Sequence, residues 1–254
     1  MKQLKILFIL LVIVVACKKE PKKPIITAQE VVDKAIEIAG ANKFDKKEIR
    51  FDFRDRTYVS SRNKWKYQYE RFKTDSLGNV THDILSNEGF TRYINDTLAT
   101  VADTMAIRYS NSVNSVHYFA YLPYGLNDKA VNKELLGEVT IKDEKYYKVK
   151  VTFDQEGGGE DFEDVYVYWF NKETFKPDYL AYEFHTGDGG HRFREAYKER
   201  YVNEIRFVDY DNYKPQNKNV SVYELDSLFS ANKLELLSKI ELKNISVSPL
   251  DTLN

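Results

Sequence analysis

The chain of 254 residues carries 38 basic and 39 acidic side chains, so its formal net charge is −1 at pH 7. A nucleic-acid-binding protein needs a clustered positive surface, and neither the net charge nor any long basic run predicts one. The single cysteine excludes an internal disulfide, and the length suits one domain with a sizeable core.

The amino terminus has the pattern of a bacterial secretion signal. Lys2 and Lys5 precede an unbroken apolar run of 11 residues, 6–16, which is shorter than the roughly 20 residues of a membrane-spanning helix. The run ends in a small residue followed by Cys17, and this arrangement resembles the lipobox of bacterial lipoproteins. We therefore predict a signal peptide over residues 1–16 and lipid acylation of Cys17. The alternative is an ordinary signal peptide followed by a chance cysteine.

Residues 17–24 have the pattern of an acylated cysteine followed by a charged tether that contains proline. Two or more acyl chains hold a protein stably on a bilayer. The predicted partner is therefore a membrane, and the predicted location is the bacterial cell envelope, at the outer membrane on either its periplasmic or its external face. With Cys17 acylated, the chain has no thiol for catalysis or metal binding.

The folded part is predicted to begin with a helix. Thr27 and Glu30 have the spacing of a capping box, in which each side chain accepts a hydrogen bond from the other residue's backbone amide. The apolar residues that follow recur at helical spacing: Val31, Val32, Ala35, Ile36 and Ala39. Gly40 is placed to end the helix in a left-handed conformation.

From Glu48 onward apolar and polar residues alternate, which is typical of strands with one face in solvent. The alternation covers residues 49–53 and 64–70, and shorter strands follow over 82–85 and 90–94. Short polar or glycine-containing segments separate these strands. The pattern predicts an antiparallel meander.

The middle of the chain has helical spacing instead. Asp103 is a suitable helix cap, and apolar residues follow at intervals of three or four: Met105, Tyr109, Val113, Val116 and Ala120. Asparagine and serine residues at 111, 112, 114 and 115 occupy the opposite side. We predict an amphipathic helix that ends before the Pro-Tyr-Gly segment at 123–125, and a short second helix over 128–135.

A longer meander follows. The strand over 165–170 has Val165, Val167 and Trp169 on one face and three aromatic residues on the other. Further strands are predicted over residues 147–153, 180–184, 193–197 and 205–207. A helix over 223–233 and a strand over 236–247 close the chain.

These elements together predict an α+β fold. Its main feature is a strongly curved antiparallel sheet of about ten strands, a half-open barrel, covered by a few helices. The apolar face of such a sheet must be buried, and the helices are the segments that can cover it. We expect residues 25–254 to form this single domain.

The order of helix, meander, central helices and longer meander resembles the lipoprotein carrier and sorting fold of LolA- and LppX-like proteins. The resemblance is strongest over residues 147–182, and it implies a half-open barrel with a helical lid that holds acyl chains between sheet and lid. The segments 111–119 and 155–159 resemble, more narrowly, an uncharacterised family of bacterial envelope lipoproteins. The resemblance implies no catalytic residue.

Two histidines, His185 and His191, flank a glycine-rich turn between two predicted strands. On a hairpin they can face each other, and Glu183 or Glu195 can supply the carboxylate of a zinc site. The alternative is a polar hairpin whose glycines allow positive φ. We favour the hairpin and predict no metal and no other cofactor, with the two histidines as the only metal candidates.

Two further segments have charged patterns. Residues 155–161 combine carboxylates with glycines, but their spacing does not match an EF-hand loop, and an acidic hairpin loop is favoured over a calcium site. Arg192, Arg194 and Lys198 form either a cationic strip for a carboxylate or phosphate headgroup or a solvated strand face, and the solvated face is favoured.

Three functions remain open at this point. The first, which we favour, is an envelope lipoprotein that binds or carries an apolar or lipid-like ligand between the curved sheet and the central helix. The candidate ligand-binding residues are Met105, Tyr109, Val113 and Val116 on the helix, with Tyr124 and Arg194 at the mouth. The second is a metal-dependent hydrolase that uses His185 and His191. The third is a structural or interaction lipoprotein without catalysis, whose helices are solid core.

Overall fold

The computed structural model describes residues 26–40, 43–159, 162–185 and 187–250. The predicted signal peptide, Cys17 and the tether lie outside these residues, as do Glu160, Asp161 and Thr186. Every helix and strand given below falls between residues 26 and 250, so a chain that begins at Lys22 contains all of them. Within the described ranges, no helix combines the length and the apolar character that crossing a membrane requires.

Fourteen strands in the described ranges form two antiparallel sheets of seven. The first sheet contains β1 (Lys47–Phe53), β2 (Arg56–Asn63), β3 (Lys66–Thr74), β4 (Val80–Ser86), β5 (Gly89–Ile94), β6 (Thr97–Leu98) and β14 (Lys243–Pro249). The second sheet contains β7 (Val131–Ile141), β8 (Glu144–Phe153), β9 (Val165–Asn171), β10 (Pro177–Phe184), β11 (Gly190–Val202), β12 (Ile205–Pro215) and β13 (Leu234–Ile240). Chain neighbours pair with each other throughout both meanders.

The prediction of antiparallel meanders with helices is confirmed, but the estimate of about ten strands in one sheet is wrong. The strand expected over 236–247 is two strands, because the chain breaks its extended run at Glu241 and Leu242. β13 pairs with β12, whereas β14 pairs with β1 on the other sheet. Neither sheet closes into a barrel. The two-residue link thus takes the chain from one sheet to the other.

The first helix, α1 (Ala28–Ile38), forms as predicted. Both hydrogen bonds of the Thr27–Glu30 capping box are present. Gly40 follows the helix at φ +69°, and a Cβ there would lie 2.1 Å from the backbone oxygen of Glu204, so only glycine fits.

The central helix, α2 (Asp103–Ala120), also forms as predicted except at its start. Its N-cap is Ala102, which offers no side-chain hydrogen bond, and Asp103 is the first helical residue. α2 packs on β3, β4 and β5 of the first sheet. Its Val116 and Phe119 share a core with β8, β9 and β10 of the second sheet. The helix therefore lies between the two sheets.

The short helix predicted over residues 128–135 is wrong. A 3₁₀ helix, Tyr124–Asn127, precedes this segment, and residues 131–141 form β7. Alternate residues of β7 are half-buried and exposed, which is the pattern of a strand with one solvated face. Pairing along the whole of β8 outweighs the helical propensity of the Lys-Glu-Leu-Leu sequence.

The second sheet has a core on each of its faces. Tyr168 and Phe170 point inward to the core shared with α1 and α2, whereas Val167 and Trp169 point to the opposite face. That opposite face is covered by a 3₁₀ helix, Val222–Glu224, and by α3 (Leu225–Ser230), close to where the last helix was predicted. The predicted two-faced character of this strand is confirmed.

Candidate ligand-binding cavities

Two cavities lie along α2 and share Tyr118, Asn111 and Asn114 among their lining residues. Their volumes are about 460 and 470 Å³, within the range of about 300–1,000 Å³ that is usual for small-molecule sites. We call the first the arginine cavity, because Arg192 and Arg194 of the second sheet line it. The other is the tyrosine cavity, which lies towards the first sheet.

The wall of the arginine cavity is mainly apolar and aromatic. Inward-facing residues of β8, β9 and β10 meet two residues from the end of α2 and the loop after it: Phe153, Tyr166, Leu180, Tyr182, Phe119 and Leu122. The rings of Tyr166 and Tyr182 are stacked across β9 and β10, with centroids 5.2 Å apart. The even-numbered residues of β9 and β10 share one face of the sheet. The alternation of side chains along these strands therefore places Tyr166, Leu180 and Tyr182 on the wall of the cavity.

Two arginines on β11 give the arginine cavity its charge. An Nη2 hydrogen of Arg194 is donated to the hydroxyl of Tyr182 over 3.1 Å, and the guanidinium lies 5.1 Å from the ring centre of Phe119. Its Nε is buried and has no acceptor among the described residues. Arg192 lies 4.9 Å from the ring centre of Phe184 and donates to the carbonyl of His191.

The tyrosine cavity is lined by polar aromatic side chains around a single arginine. Arg62 of β2 donates to the hydroxyl of Tyr69 over 3.0 Å, and its guanidinium lies 5.1 Å from the ring centre of Tyr124 and 5.8 Å from that of Tyr67. Burial raises the pKa of Tyr67 and of Tyr124, so both phenols are neutral at physiological pH. The carboxylate of Asp128 lines the same cavity.

A buried histidine also lines the tyrosine cavity. His117 is fully buried and stacks on Tyr69 with ring centroids 4.5 Å apart. Its Nε2 lies 3.2 Å from the carbonyl oxygen of Glu70, which can only accept, so this nitrogen carries the proton. Its Nδ1 then accepts from the hydroxyl of Tyr121, which is also hydrogen-bonded to Ser60. Burial lowers the pKa of His117 to about 3, so the ring is neutral.

The six predicted ligand-binding residues do not lie together. Val113 and Val116 are buried and line neither cavity. Met105 and Tyr109 are half-buried, and the ring of Tyr109 lies 3.6 Å from the guanidinium carbon of Arg92.

The two residues predicted at a common mouth are separated. Tyr124 lines the tyrosine cavity and Arg194 lines the arginine cavity. The predicted seam between helix and sheet is therefore divided into two spaces of different chemistry.

The predicted ligand-binding residues lie on the apolar side of α2, whereas it is the polar side of the helix that lines the cavities. Asn111, Asn114 and Tyr118 contribute to both, and Ser115 contributes to the arginine cavity. A signal was present in the sequence: a solvated helix face is usually rich in charged residues, whereas this one carries short uncharged side chains.

The two histidines of the glycine-rich hairpin do not face each other. His191 is opposite Glu183 in the register of β10 and β11, with Nε2 3.8 Å from the carboxylate, whereas His185 lies beyond the end of β10. His185 instead contacts Asp164, whose carboxylate is 3.5 Å from Nδ1. Glu195 pairs with Lys142 at 2.6 Å. In the described part of the chain, no three His, Cys, Asp or Glu side chains converge as a metal site.

A family model described as "Family of unknown function (DUF6503)" matches residues 3–242, and the chain belongs to this family. The resemblance to an uncharacterised family is thereby confirmed. No curated protein matches the sequence.

Several solved structures are similar to the fold. A LolA superfamily protein from Nitrosomonas europaea is 14% identical, with a TM-score of 0.48 over 91% of this chain and 96% of that one. A DUF1329 family protein from Desulfovibrio piger is 9% identical, with a TM-score of 0.45 over 86% and 92%. Lipoprotein LppX from Mycobacterium tuberculosis is 8% identical, with a TM-score of 0.29 over 62% and 90%. The LolA superfamily protein and LppX bear the names of the group that the sequence resembles.

Proposed function

We propose that this chain is a lipoprotein of the bacterial cell envelope, anchored through acylated Cys17, and that its domain binds or carries an apolar or lipid-like ligand in the arginine cavity. The observation that carries the proposal is the cavity itself, about 460 Å³ with a largely aromatic and aliphatic wall. A preformed space of this kind between a helix and a sheet is the usual form of a small-molecule site.

The short side chains of α2 leave this space open. Asn114 and Ser115 face the aromatic residues Tyr166 and Tyr182 across the cavity, and none of these four side chains fills it. Each square ångström of apolar surface that a ligand buries there contributes roughly 25 cal/mol. An apolar ligand is therefore favoured over water along most of the wall.

The position of α2 also suits a carrier. The helix is joined to the sheets by loops, and its hydrogen bonds to β3 in the described ranges involve the side chains of Ser112 and His117. It can lift without breaking the hydrogen bonds between strands, which a strand in the ladder could not do. We infer that ligand enters and leaves by movement of this helix.

The test uses the chain from Lys22 onward, without its anchor. Its affinity for the neutral apolar dye N-phenyl-1-naphthylamine is measured by fluorescence, and co-purifying lipids are extracted with organic solvent and identified by mass spectrometry. We expect Ser115→Trp, which fills the arginine cavity from an exposed helix position, to weaken dye binding about tenfold, a loss of about 1.4 kcal/mol.

Thr104→Trp is the matched control, because Thr104 is exposed on the same helix and lines neither cavity. It should bind the dye as the parent chain does. Absence of dye binding by the parent chain, together with an extract free of lipid, would leave the interaction-protein hypothesis standing instead.

A further inference from the structure

Several arginines in the described ranges are paired with carboxylates. Arg71 pairs with Asp83 at 2.5 Å, and Arg206 pairs with Glu199 at 2.5 Å. Arg194 has no carboxylate within 4 Å among the described residues, although it lies in an aromatic wall. Arg194 is half-buried and its Nε is out of contact with water, so the lack of a counter-charge is costly, and an anion supplied from outside would offset that cost.

The strand register places Arg194 well inside the cavity. It lies opposite Leu180, a buried residue, whereas Arg192 lies opposite Tyr182, one side-chain row nearer to the end of the sheet. Among the described residues that line the cavity, Asp164 is the one with a carboxylate, and it precedes β9. Asp164 is therefore separated from Arg194 by one intervening strand, β10, and by two side-chain positions along the strand direction. At that separation its carboxylate does not pair with the guanidinium.

The guanidinium is held in one orientation. Its Nη2 donates to the hydroxyl of Tyr182, and its central carbon lies 5.1 Å from the ring centre of Phe119 and 5.2 Å from that of Tyr182. The other guanidinium N–H groups remain as donors, and the buried Nε has no protein acceptor in the described ranges. Donors arranged in this fixed fork match the two oxygens of a carboxylate.

We propose that the ligand of the arginine cavity is a single-chain amphiphile with a carboxylate head, such as a fatty acid, bound with its head at Arg194 and its chain along Tyr182 and Phe184. The inference rests on the proposed function and adds the head group to it. A compact head is required because Arg194 lies behind the row of Tyr166, Tyr182 and Arg192.

The test compares cis-parinaric acid with its methyl ester on the chain from Lys22 onward, by fluorescence titration. The two probes share one apolar chain, so their difference reports the head group. We expect the acid to bind about tenfold more tightly than the ester, the effect of one charge-assisted hydrogen bond. Arg194→Gln should remove this preference, so that the affinities of acid and ester lie within about twofold of each other.

Two further variants make the result specific. Arg194→Lys keeps the positive charge but lacks the planar guanidinium with its parallel N–H donors. It should therefore retain only part of the preference for the acid over the ester. Arg108→Gln is the matched control, because Arg108 is exposed on α2 and lines neither cavity, so the full preference should remain. Unchanged ester binding by Arg108→Gln, and ester binding that persists in the two Arg194 variants, shows that the cavity still forms.

Equal affinities of acid and ester in the parent chain would overturn the head-group assignment while leaving the apolar site in place. So would a preference that survives Arg194→Gln, or competition by dodecyl phosphate as strong as that by laurate. Failure of both probes and of N-phenyl-1-naphthylamine to bind would instead contradict the proposed function itself.

Discussion

At the scale of single residues, His117 is a buried group whose charge state is set by its surroundings. The folded protein keeps the ring neutral down to a pKa of about 3, whereas an unfolded chain takes up the proton near the ordinary value of about 6.5. Between these two values the unfolded state binds more protons than the folded state. The stability that this pKa difference contributes is therefore fully present above pH 6.5 and is lost as the pH falls from 6.5 towards 3.

We predict that His117→Phe flattens this dependence. The variant loses the hydrogen bonds to Glu70 and Tyr121 and should be less stable than the parent at pH 7. Between pH 7 and pH 5 its free energy of unfolding should fall by about 2 kcal/mol less than that of the parent. Urea denaturation at each pH measures both quantities.

The control for this prediction is His185→Phe, since the side chain of His185 is 51% exposed. Its pH dependence should follow that of the parent. If the parent and His117→Phe lose stability in parallel as the pH is lowered, the histidine is not the group responsible.

The role of Arg194 could be predicted only in part at this scale. The alternation of β11 placed Arg192, Arg194 and Lys198 on one face, and the first two do share the cavity wall. Lys198 does not, because a bulge between Tyr197 and Arg200 puts it at φ +50° and breaks the alternation. Side-chain spacing alone does not reveal a bulge, so the extent of the cationic strip could not be known.

At the scale of elements, α2 does not rest on an apolar surface along its whole length. Its first half lies over Asp83, which is 1% exposed and accepts hydrogen bonds from both Arg71 and Arg92. Arg71 also donates to Ser112 of the helix over 2.7 Å. A buried charged cluster of Asp83, Arg71 and Arg92 therefore supports the helix on the first sheet, and the buried apolar residues of the helix lie in its second half.

We predict that Asp83→Ala destabilises the protein by about 3–5 kcal/mol, because it leaves two arginines facing each other without a counter-charge. The free energy of unfolding from urea denaturation measures the loss. Glu138→Ala is the comparison: Glu138 pairs with Lys172 on an exposed surface and should cost less than about 1 kcal/mol. Similar small losses in the two variants would mean that the buried cluster is not required to seat α2.

The elements that the sequence predicts well are those whose pattern is set locally. The capping box of α1 and the two faces of β9 each depend on residues a few positions apart, and both are confirmed. β7 is different, because its Lys-Glu-Leu-Leu segment favours a helix until it pairs with β8. That pairing is made with a strand further along the chain, so local propensity could not predict it.

At the scale of the whole molecule, the chain passes from the second sheet to the first at Glu241 and Leu242, the two residues between β13 and β14. Leu242 is buried and its amide donates to Asp209 of the second sheet, while β14 immediately after it pairs with β1 of the first. Asn203, in the turn between β11 and β12, donates to the carbonyl of Val247 in β14. These contacts join the two sheets, and α2, which lies between the sheets, contributes Asn111, Asn114 and Tyr118 to both cavities.

The place of Cys17 directly after the apolar run 6–16 leads to a prediction about anchoring. We expect the wild-type chain, expressed in a bacterium with radiolabelled palmitate, to incorporate label and to sediment with membranes. Two or more acyl chains contribute about 0.8 kcal/mol for each buried methylene, which is enough for stable anchoring. Cys17→Ser should remain unlabelled, since it removes the thiol that accepts the lipid.

The residue before the cysteine gives the matched pair of controls. Ala16→Gly keeps a small side chain and should be labelled like the wild type, whereas Ala16→Trp should block processing and reduce the label. Equal labelling of the wild type and Cys17→Ser, or none in either, would contradict the lipoprotein assignment. The cavities along α2 would be unchanged by that outcome, because their lining residues all lie beyond Tyr58, so anchoring and ligand binding can be tested separately.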